Sequence, residues 1–331
     1  MAATTYGDVN QRTAAWAATK MLEHQEPVIL LGRFGDNKPV PKNKAQQVKF
    51  RRPIPFTIST TPLSEGVTPT AQQMLYEDVT ASLGQYGAVV EITDVVQDLA
   101  EDPVLRDASE LCGEQAGETC ELVTWGVVKA GTNVFYANGT ARNTLNTALS
   151  LNKQRAVVRA LKSNRAKKET KMLGGSPNDN TTPIEGAFLA FCHTDLESDI
   201  RNLAGFTPVA EYGQRQPLPM EVGSVEDVRY MTSPVLNPFL AAGSATLNSM
   251  TSAGGVNTDV YPIIYCGKNA YAHVSPKGKE SMIPQILNPN VPRGGDPLGQ
   301  KGTVGWKKYY VALVLNQGWM ARLEVCATDL G

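Results

Sequence analysis

The longest periodic pattern in the chain lies between Asp102 and Lys129. Leu105, Ala108, Cys112, Gln115, Thr119, Leu122 and Gly126 recur at three- and four-residue steps, and Val104, Leu111, Val123 and Val127 widen the stripe. That spacing predicts one face of an α-helix. Asp102 suits the N-cap, Pro103 the first helical position and Gly131 the stop. Such a helix runs about 40 Å. Its apolar stripe is thin and rich in small residues, and the rest of its surface is acidic. The pattern suits a strut that touches more than its own core.

The remaining pattern is mixed. Residues 11–24 favour a short helix ended by Pro27, with Trp16 as its main large side chain and His24 at its end, so it needs a docking surface. Prolines at 39, 41, 53, 55, 62 and 69 exclude long helices from 33–88. Within that region Val48–Arg52 alternates apolar with basic, Tyr76–Leu83 alternates again, and Ala88–Ile92 follows Gly87. There is too little apolar residue here to bury two faces. The segment reads as a long projecting β-hairpin, or alternatively as an edge strand pair guarded by lysines. A two-stranded ribbon is marginal alone and needs a second subunit to lie on.

Ile92–Leu99 reads as a helical lead-in, Gly131–Asn146 as strand and turn at Asn138-Gly139, and Ser150–Lys168 as a second helix. That helix puts Leu151, Ala156, Val157, Val158, Ala160 and Leu161 inside and bases outside. Ala187–Cys192 is a buried strand, followed by a helix capped by Thr194 or Asp195 and running through Leu203. Val225–Met231 and Val260–Tyr265 are further strands, the latter followed by a helix at Gly267–Ala272. Residues 174–182, 243–258 and 284–305 read as irregular, and Tyr309–Leu315 and Ala321–Ala327 as two strands around Asn316-Gln317-Gly318.

Composition narrows this little: 331 residues, 42% apolar, net charge −1. No apolar run is long enough to span a membrane, and Met1–Asn10 lacks the basic-then-apolar order of a secretory signal. Five cysteines, an odd number without C-x-x-C, read as free thiols of a reducing cytoplasm. Charge distribution changes the picture more. Residues 33–52 hold seven bases and one acid, residues 91–121 ten acids and one base, and residues 153–171 eight bases and one acid. Segregated charge of this kind suits copies packing on one another. The candidate inter-subunit contacts are Lys44, Lys49, Arg51 and Arg52 on the ribbon and Glu110, Glu114 and Glu118 on the helix. Reversing Arg51 and Arg52 to Glu should then leave the subunit folded and block assembly.

Chemistry is sparse. Cys192-His193-Thr194-Asp195 is the tightest set of reactive types, yet neighbours in sequence rarely form a triad and no nucleophile elbow surrounds them. Three histidines without H-x-x-H spacing argue against zinc, and no phosphate loop occurs. No catalytic, cofactor-binding or metal-binding residue is assigned, and the expectation is a protein that is not an enzyme. An α/β enzyme built on Cys192 is one alternative. A nucleic-acid binder using the basic helix 153–171 is another, weakened because that helix lacks aromatic residues.

The order of several short stretches resembles a known family. They are Arg12–Trp16, Val48–Pro53, Glu65–Pro69, Glu91–Val95, His193–Arg201 and Leu315–Arg322. Together they resemble tailed-bacteriophage major capsid proteins with the Hong Kong 97-type fold, in the branch typified by coliphage N-four. The resemblance implies an α+β chain with an N-terminal arm (1–31), an extended hairpin loop (32–88), a peripheral domain (89–186) with spine helix 102–129, an axial α/β domain (187–302) and terminal strands (303–331). It implies pentamers and hexamers closing an icosahedral head around double-stranded DNA, made in the host bacterial cytoplasm, with separate scaffold and portal proteins and room for a decoration protein. Some relatives crosslink hairpin lysines. Lys42, Lys44 and Lys49 lie in the matching region, but no acceptor motif accompanies them and crosslinking is not expected.

Overall fold

A computed structural model describes residues 29–40, 46–95, 104–173, 181–213, 215–246, 248–252, 255–276, 283–292 and 294–331. Two sheets and a ribbon carry the fold. In the five-stranded sheet, β14 (Lys301–Val314) pairs antiparallel with β4 (Gly84–Thr93), β12 (Tyr271–Val274) and β13 (Ile283–Leu287), and β12 pairs parallel with the short β1 (Asp36–Asn37). The eight-stranded sheet runs β5 (Val134–Tyr136), β15 (Met320–Cys326), β11 (Val260–Cys266), β7 (Thr181–Cys192), β10 (Val228–Thr232), β9 (Glu221–Val225) and β8 (Phe206–Pro208). Strand β6 (Glu169–Leu173) joins the outer part of β7. β2 (Gln47–Pro53) and β3 (Tyr76–Ser82) form a separate antiparallel ribbon.

Small residues let the longest helix lie close to the first sheet. Helix α1 (Val104–Lys129) buries Ala108, Cys112, Ala116, Cys120, Thr124 and Val128 at four-residue steps, with Ser109, Gly113, Gly117, Glu121 and Trp125 as the neighbouring ridge. The large side chains come from the strand: Trp306 and Val304 pack on Ala108, Cys112 and Ala116, and Tyr310 packs on Cys120. The Trp306 indole N–H donates to Gln115 Oε1 at 3.1 Å, and Tyr310 and Thr124 hydroxyls meet at 2.8 Å. The stripe is therefore rotated from the one the apolar periodicity predicts. Leu111 is 64% exposed and Leu122 41% exposed. Burial follows room for backbone approach here, which hydrophobicity does not rank.

The eight-stranded sheet is covered on both faces, so β10, β11 and β15 are buried at every position. Phe188, Ala190 and Cys192 face the side of α2 (Leu151–Ser163), with Val157, Val158 and Leu161; Leu189 and Phe191 face Trp125 and Val128 of α1. One buried polar chain registers α2. Gln154 Nε2 donates to Val225 O at 3.0 Å, and its Oε1 accepts from Tyr230, whose hydroxyl lies 2.9 Å from that of Tyr265.

Glu121 is the one acid of α1 that turns fully inward. Its carboxylate accepts three consecutive backbone N–H groups, from Leu30 (2.7 Å), Leu31 (3.0 Å) and Gly32 (3.2 Å). Tyr271 donates to Leu31 O at 2.8 Å and holds the same turn from the sheet side. Burial pushes the Glu121 carboxyl up to about 7, against the pull of the three N–H groups and Lys308. The fold therefore binds this proton more tightly than the unfolded chain does. Stability drawn from the proton is complete below the ordinary value of 4.5 and is lost as pH rises through about 7. Relative to Glu121→Gln, which does not titrate, the wild type should gain up to about 3 kcal/mol between about pH 8 and about pH 4. Urea unfolding of both proteins across that range measures it, and a constant difference would contradict it.

Several sequence expectations are corrected. Ile92 and Thr93 end β4 instead of opening a helix, because β14 pairs with them. The second helix stops at Ser163, where the chain turns through Arg165 at φ 56°. Strand β7 starts at Thr181, inside the expected loop. Glu221–Thr232 is a hairpin turning at Glu226 (φ 53°), not one strand. Residues 267–270 form a turn into β12 rather than a helix. β13 and the start of β14 occupy the passage expected to be irregular. Residues 243–258 are tied by bridges from Ala245 to Asn257 and from Thr251 to Thr258. Neither Thr194 nor Asp195 caps the turn after β7; the Asp195 N–H donates to His193 Nδ1 at 3.2 Å. The expected helix at 11–24, and Asp102 and Pro103, lie outside the described residues.

Candidate assembly surfaces

The ribbon is anchored at one end and bare at the other. Alternation turns Val48 and Phe50 inward, where they pack on Ala272, Val274 and Leu313 with Val79 and Ala81 of the partner strand. Beyond Pro53 the chain leaves this support, and residues 54–75 are exposed throughout. Few contacts hold them: Ile54 N–H donates to Leu75 O at 2.9 Å, and Gln72 Nε2 to Thr57 O at 3.1 Å. Ile54, Phe56, Ile58, Leu63, Val67, Met74 and Leu75 stand in this segment and Tyr76 adjoins it, with exposures from 44% at Ile54 to 74% at Leu63. An apolar group of that size marks a surface that another body covers.

The bases of the ribbon are spent within it. Arg51 forks onto Asp78 at 2.8 and 3.0 Å, Lys49 reaches the same carboxylate at 3.3 Å, and Arg52 pairs with Glu77. The register opposes Arg51 to Asp78 and Arg52 to Glu77 directly. Arg51, with Lys49, holds the Asp78 carboxyl at about 2. Lys44 lies outside the described residues. Reversing Arg51 and Arg52 therefore sets like charges face to face in the ribbon, so its expected effect on assembly is not separable from a loosened hairpin.

On α1, Glu110 pairs with Arg106 at 3.0 Å, while Glu114 and Glu118 lie on the outer side with Leu111 and Leu122. The outward face is thus an acidic stripe carrying two exposed leucines. Sequence reasoning missed the leucines by assigning Leu111 and Leu122 to the core. Among the described residues no ion pair joins the acids of this stripe to Lys49, Arg51 or Arg52.

The reactive tetrad leaves its cysteine apart from the other members. Cys192 faces the core, where its thiol lies 3.6 Å from Met231 O and burial raises its pKa far above the usual thiol range. His193 lies past the end of the strand with its ring 5.6 Å from that of Tyr261 and its Nδ1 3.0 Å from Asp195 Oδ2, and Asp195 accepts from the Tyr261 hydroxyl at 2.7 Å. No nucleophile–base pair results. Among the described residues no group of three or more His, Cys, Asp or Glu is placed to hold a metal ion.

Comparison with known proteins gives one family. The model of a phage capsid protein family matches residues 76–323. The fold is similar to the capsid of Ralstonia phage GP4, with a TM-score of 0.67 at 11% identity over 91% of each chain. It is also similar to the cyanophage Pam1 capsid (TM-score 0.57, 14% identity, 92% of this chain and 93% of that one) and to the capsid of cyanophage P-SCSP1u (0.56, 12%, 90% and 88%). A search of curated protein sequences finds no match.

Proposed function

We propose, because this chain belongs to the phage capsid protein family, that its copies gather as pentamers and hexamers into a closed icosahedral head around double-stranded DNA. The protein is a structural component of the virion shell with the α+β Hong Kong 97-type fold, and it is not an enzyme. The observation that carries the finer reading is the ribbon beyond Pro53. Its apolar side chains stand exposed, so a neighbouring copy is their natural cover.

The reading assigns residues 32–88 to an extended loop, α1 to the spine of a peripheral domain spanning 89–186, and 187–302 to the axial domain. The outer face of α1, with Glu110, Glu114, Glu118 and the two exposed leucines, receives a neighbour's ribbon. In that contact Leu111 and Leu122 meet the apolar tip, and Lys49, Arg51 and Arg52 play a smaller part because Asp78 and Glu77 already hold them. Scaffold and portal proteins are separate chains, the shell leaves room for a decoration protein, and synthesis takes place in the host bacterial cytoplasm. The test is to express the full chain with its scaffold and examine it by negative-stain microscopy and sedimentation. Shells or rings tens of nanometres across are expected; a monomer at every salt and protein concentration would sink the reading.

A further inference from the structure

Helix α2 and the turn after it form a cationic platform that its own acids only partly neutralise. Arg155 reaches Glu226 at 2.5 Å, and Lys162 and Lys168 share Asp227 at 2.5 and 2.7 Å. Glu169 is buried and turned to the Thr170 and Lys171 N–H groups. Lys153, Arg159, Arg165 and Lys167 make no ion pair among the described residues. The cations continue through Lys268, whose N–H donates to Lys167 O at 2.8 Å.

The platform is held firmly. Asn164 Nδ2 donates to Gly318 O at 3.1 Å, the Trp319 indole N–H donates back to Asn164 O at 3.1 Å, and Gly267 N–H donates to Trp319 O at 2.9 Å. Three separate segments are thereby knitted under the same charges. The aromatic residue that the basic helix lacks arrives from the turn before β15, where it stiffens the platform. Arg165 adds an independent sign. It sits at φ 56°, in the left-handed position after a helix that glycine or asparagine fills at least cost. A side chain there costs roughly 1 kcal/mol, and this arginine recovers nothing through an ion pair among the described residues.

The chemistry of the partner follows from what the face contains and what it omits. No large apolar side chain is exposed between Leu151 and Leu173. A folded protein or a membrane would need such anchors. Arg155, Arg159 and Lys162 share the outward side of α2 over about 10 Å, and Arg165 and Lys167 carry the charge on past its end; such a series suits the repeated phosphates of a backbone. We propose that the surface carrying Arg159, Arg165, Lys167 and Lys268 binds the phosphate backbone of duplex nucleic acid without regard to sequence. It is therefore the inner face of the shell, a placement that rests on the reading above, whereas the binding itself does not.

The experiment uses the full chain before assembly and a labelled random-sequence duplex, titrated by fluorescence anisotropy from about 50 to about 200 mM salt. The wild type should bind with an affinity that falls steeply with salt. The triple variant Arg159→Glu, Arg165→Glu, Lys167→Glu should lose roughly 10-fold per removed contact at the lowest salt, and its salt slope should shrink by about 3. Circular dichroism should be unchanged, since all three side chains lie on the surface. Equal affinity and slope in the two proteins, or no salt-dependent binding by the wild type, would overturn the proposal. Displacement of the duplex by polyglutamate at equal charge would also overturn it, because the face would then read charge alone. A variant that binds duplex normally but fails to form shells would make this face an inter-subunit contact, leaving the shell reading intact and this proposal wrong.

Discussion

Replacing Phe56, Ile58 and Leu63 by serine should leave the subunit's thermal unfolding unchanged and abolish shell formation. These side chains contribute almost nothing to their own fold, because they are 57%, 70% and 74% exposed and the backbone around them makes few bonds. Covered by a neighbour, each would gain roughly 1–2 kcal/mol. Three of them sum to about 4 kcal/mol per contact, roughly a thousandfold in association at each interface. A closed shell repeats that contact in every copy, so the loss multiplies. Calorimetry and sedimentation of the same preparation decide the matter. Normal shells from the triple serine variant would show that the ribbon tip is covered by something other than a second copy.

Glu324→Gln should be the most damaging single substitution in the body of the protein. Glu324 is fully buried and takes two hydrogen bonds from Arg142, both 2.7 Å, and an ion pair from Arg322 at 2.8 Å. The Lys129 ammonium lies 3.8 Å and the Arg142 guanidinium 3.5 Å from the centre of the Phe239 ring. Lys129 is tied to Asn237 O and Pro238 O as well. Burial, then Arg142 and Arg322, lowers the Lys129 pKa, a sign that the cations crowd one another. One carboxylate balances all three. Without it, two arginines and a lysine are left partly desolvated and mutually repelling, at a cost of about 3–5 kcal/mol. For a chain of this size that corresponds to a drop of roughly 4–7 °C in Tm. The double variant Glu324→Gln, Arg142→Gln should be less damaged than the sum of the two single changes, since it removes one stranded charge with its partner. Simple additivity would mean that the cluster does not act as a unit.

How much of this was legible beforehand depends on what kind of contact sets each element. Alternation revealed β2 and β3, and continuous apolar runs revealed the buried ends of β7 and β11 and the terminal strands, because one or both of their faces meet an apolar layer. Three- and four-residue spacing revealed α1 and α2. The rotation of α1 was hidden because its buried ridge consists of alanine, cysteine and glycine opposite Trp306 and Tyr310, and closeness of approach leaves no hydrophobic signature. Glu121 read as a surface acid, since its partners are backbone N–H groups about ninety residues away. The pairing of Arg51 with Asp78 depends on the ribbon register, which the alternation of both strands left free by two residues either way. The short passages 267–270 and 284–305 were misread for a shared reason: their strands exist because β14 offers an edge, not because of their own composition.

Strand β14 also fixes when the subunit becomes a subunit. It pairs residue by residue with β4, more than two hundred positions earlier, and it supplies the large side chains that α1 packs against. Until residue 314 has been synthesised, β4 and β12 lack their shared neighbour and the inner face of α1 has nothing to lie on. Loops this long close late and slowly. Nascent chains on one messenger therefore cannot present a supported α1 to each other before β14 has emerged. The order of strands in the sheet thus acts as a delay, holding polymerisation back until β14 has been made.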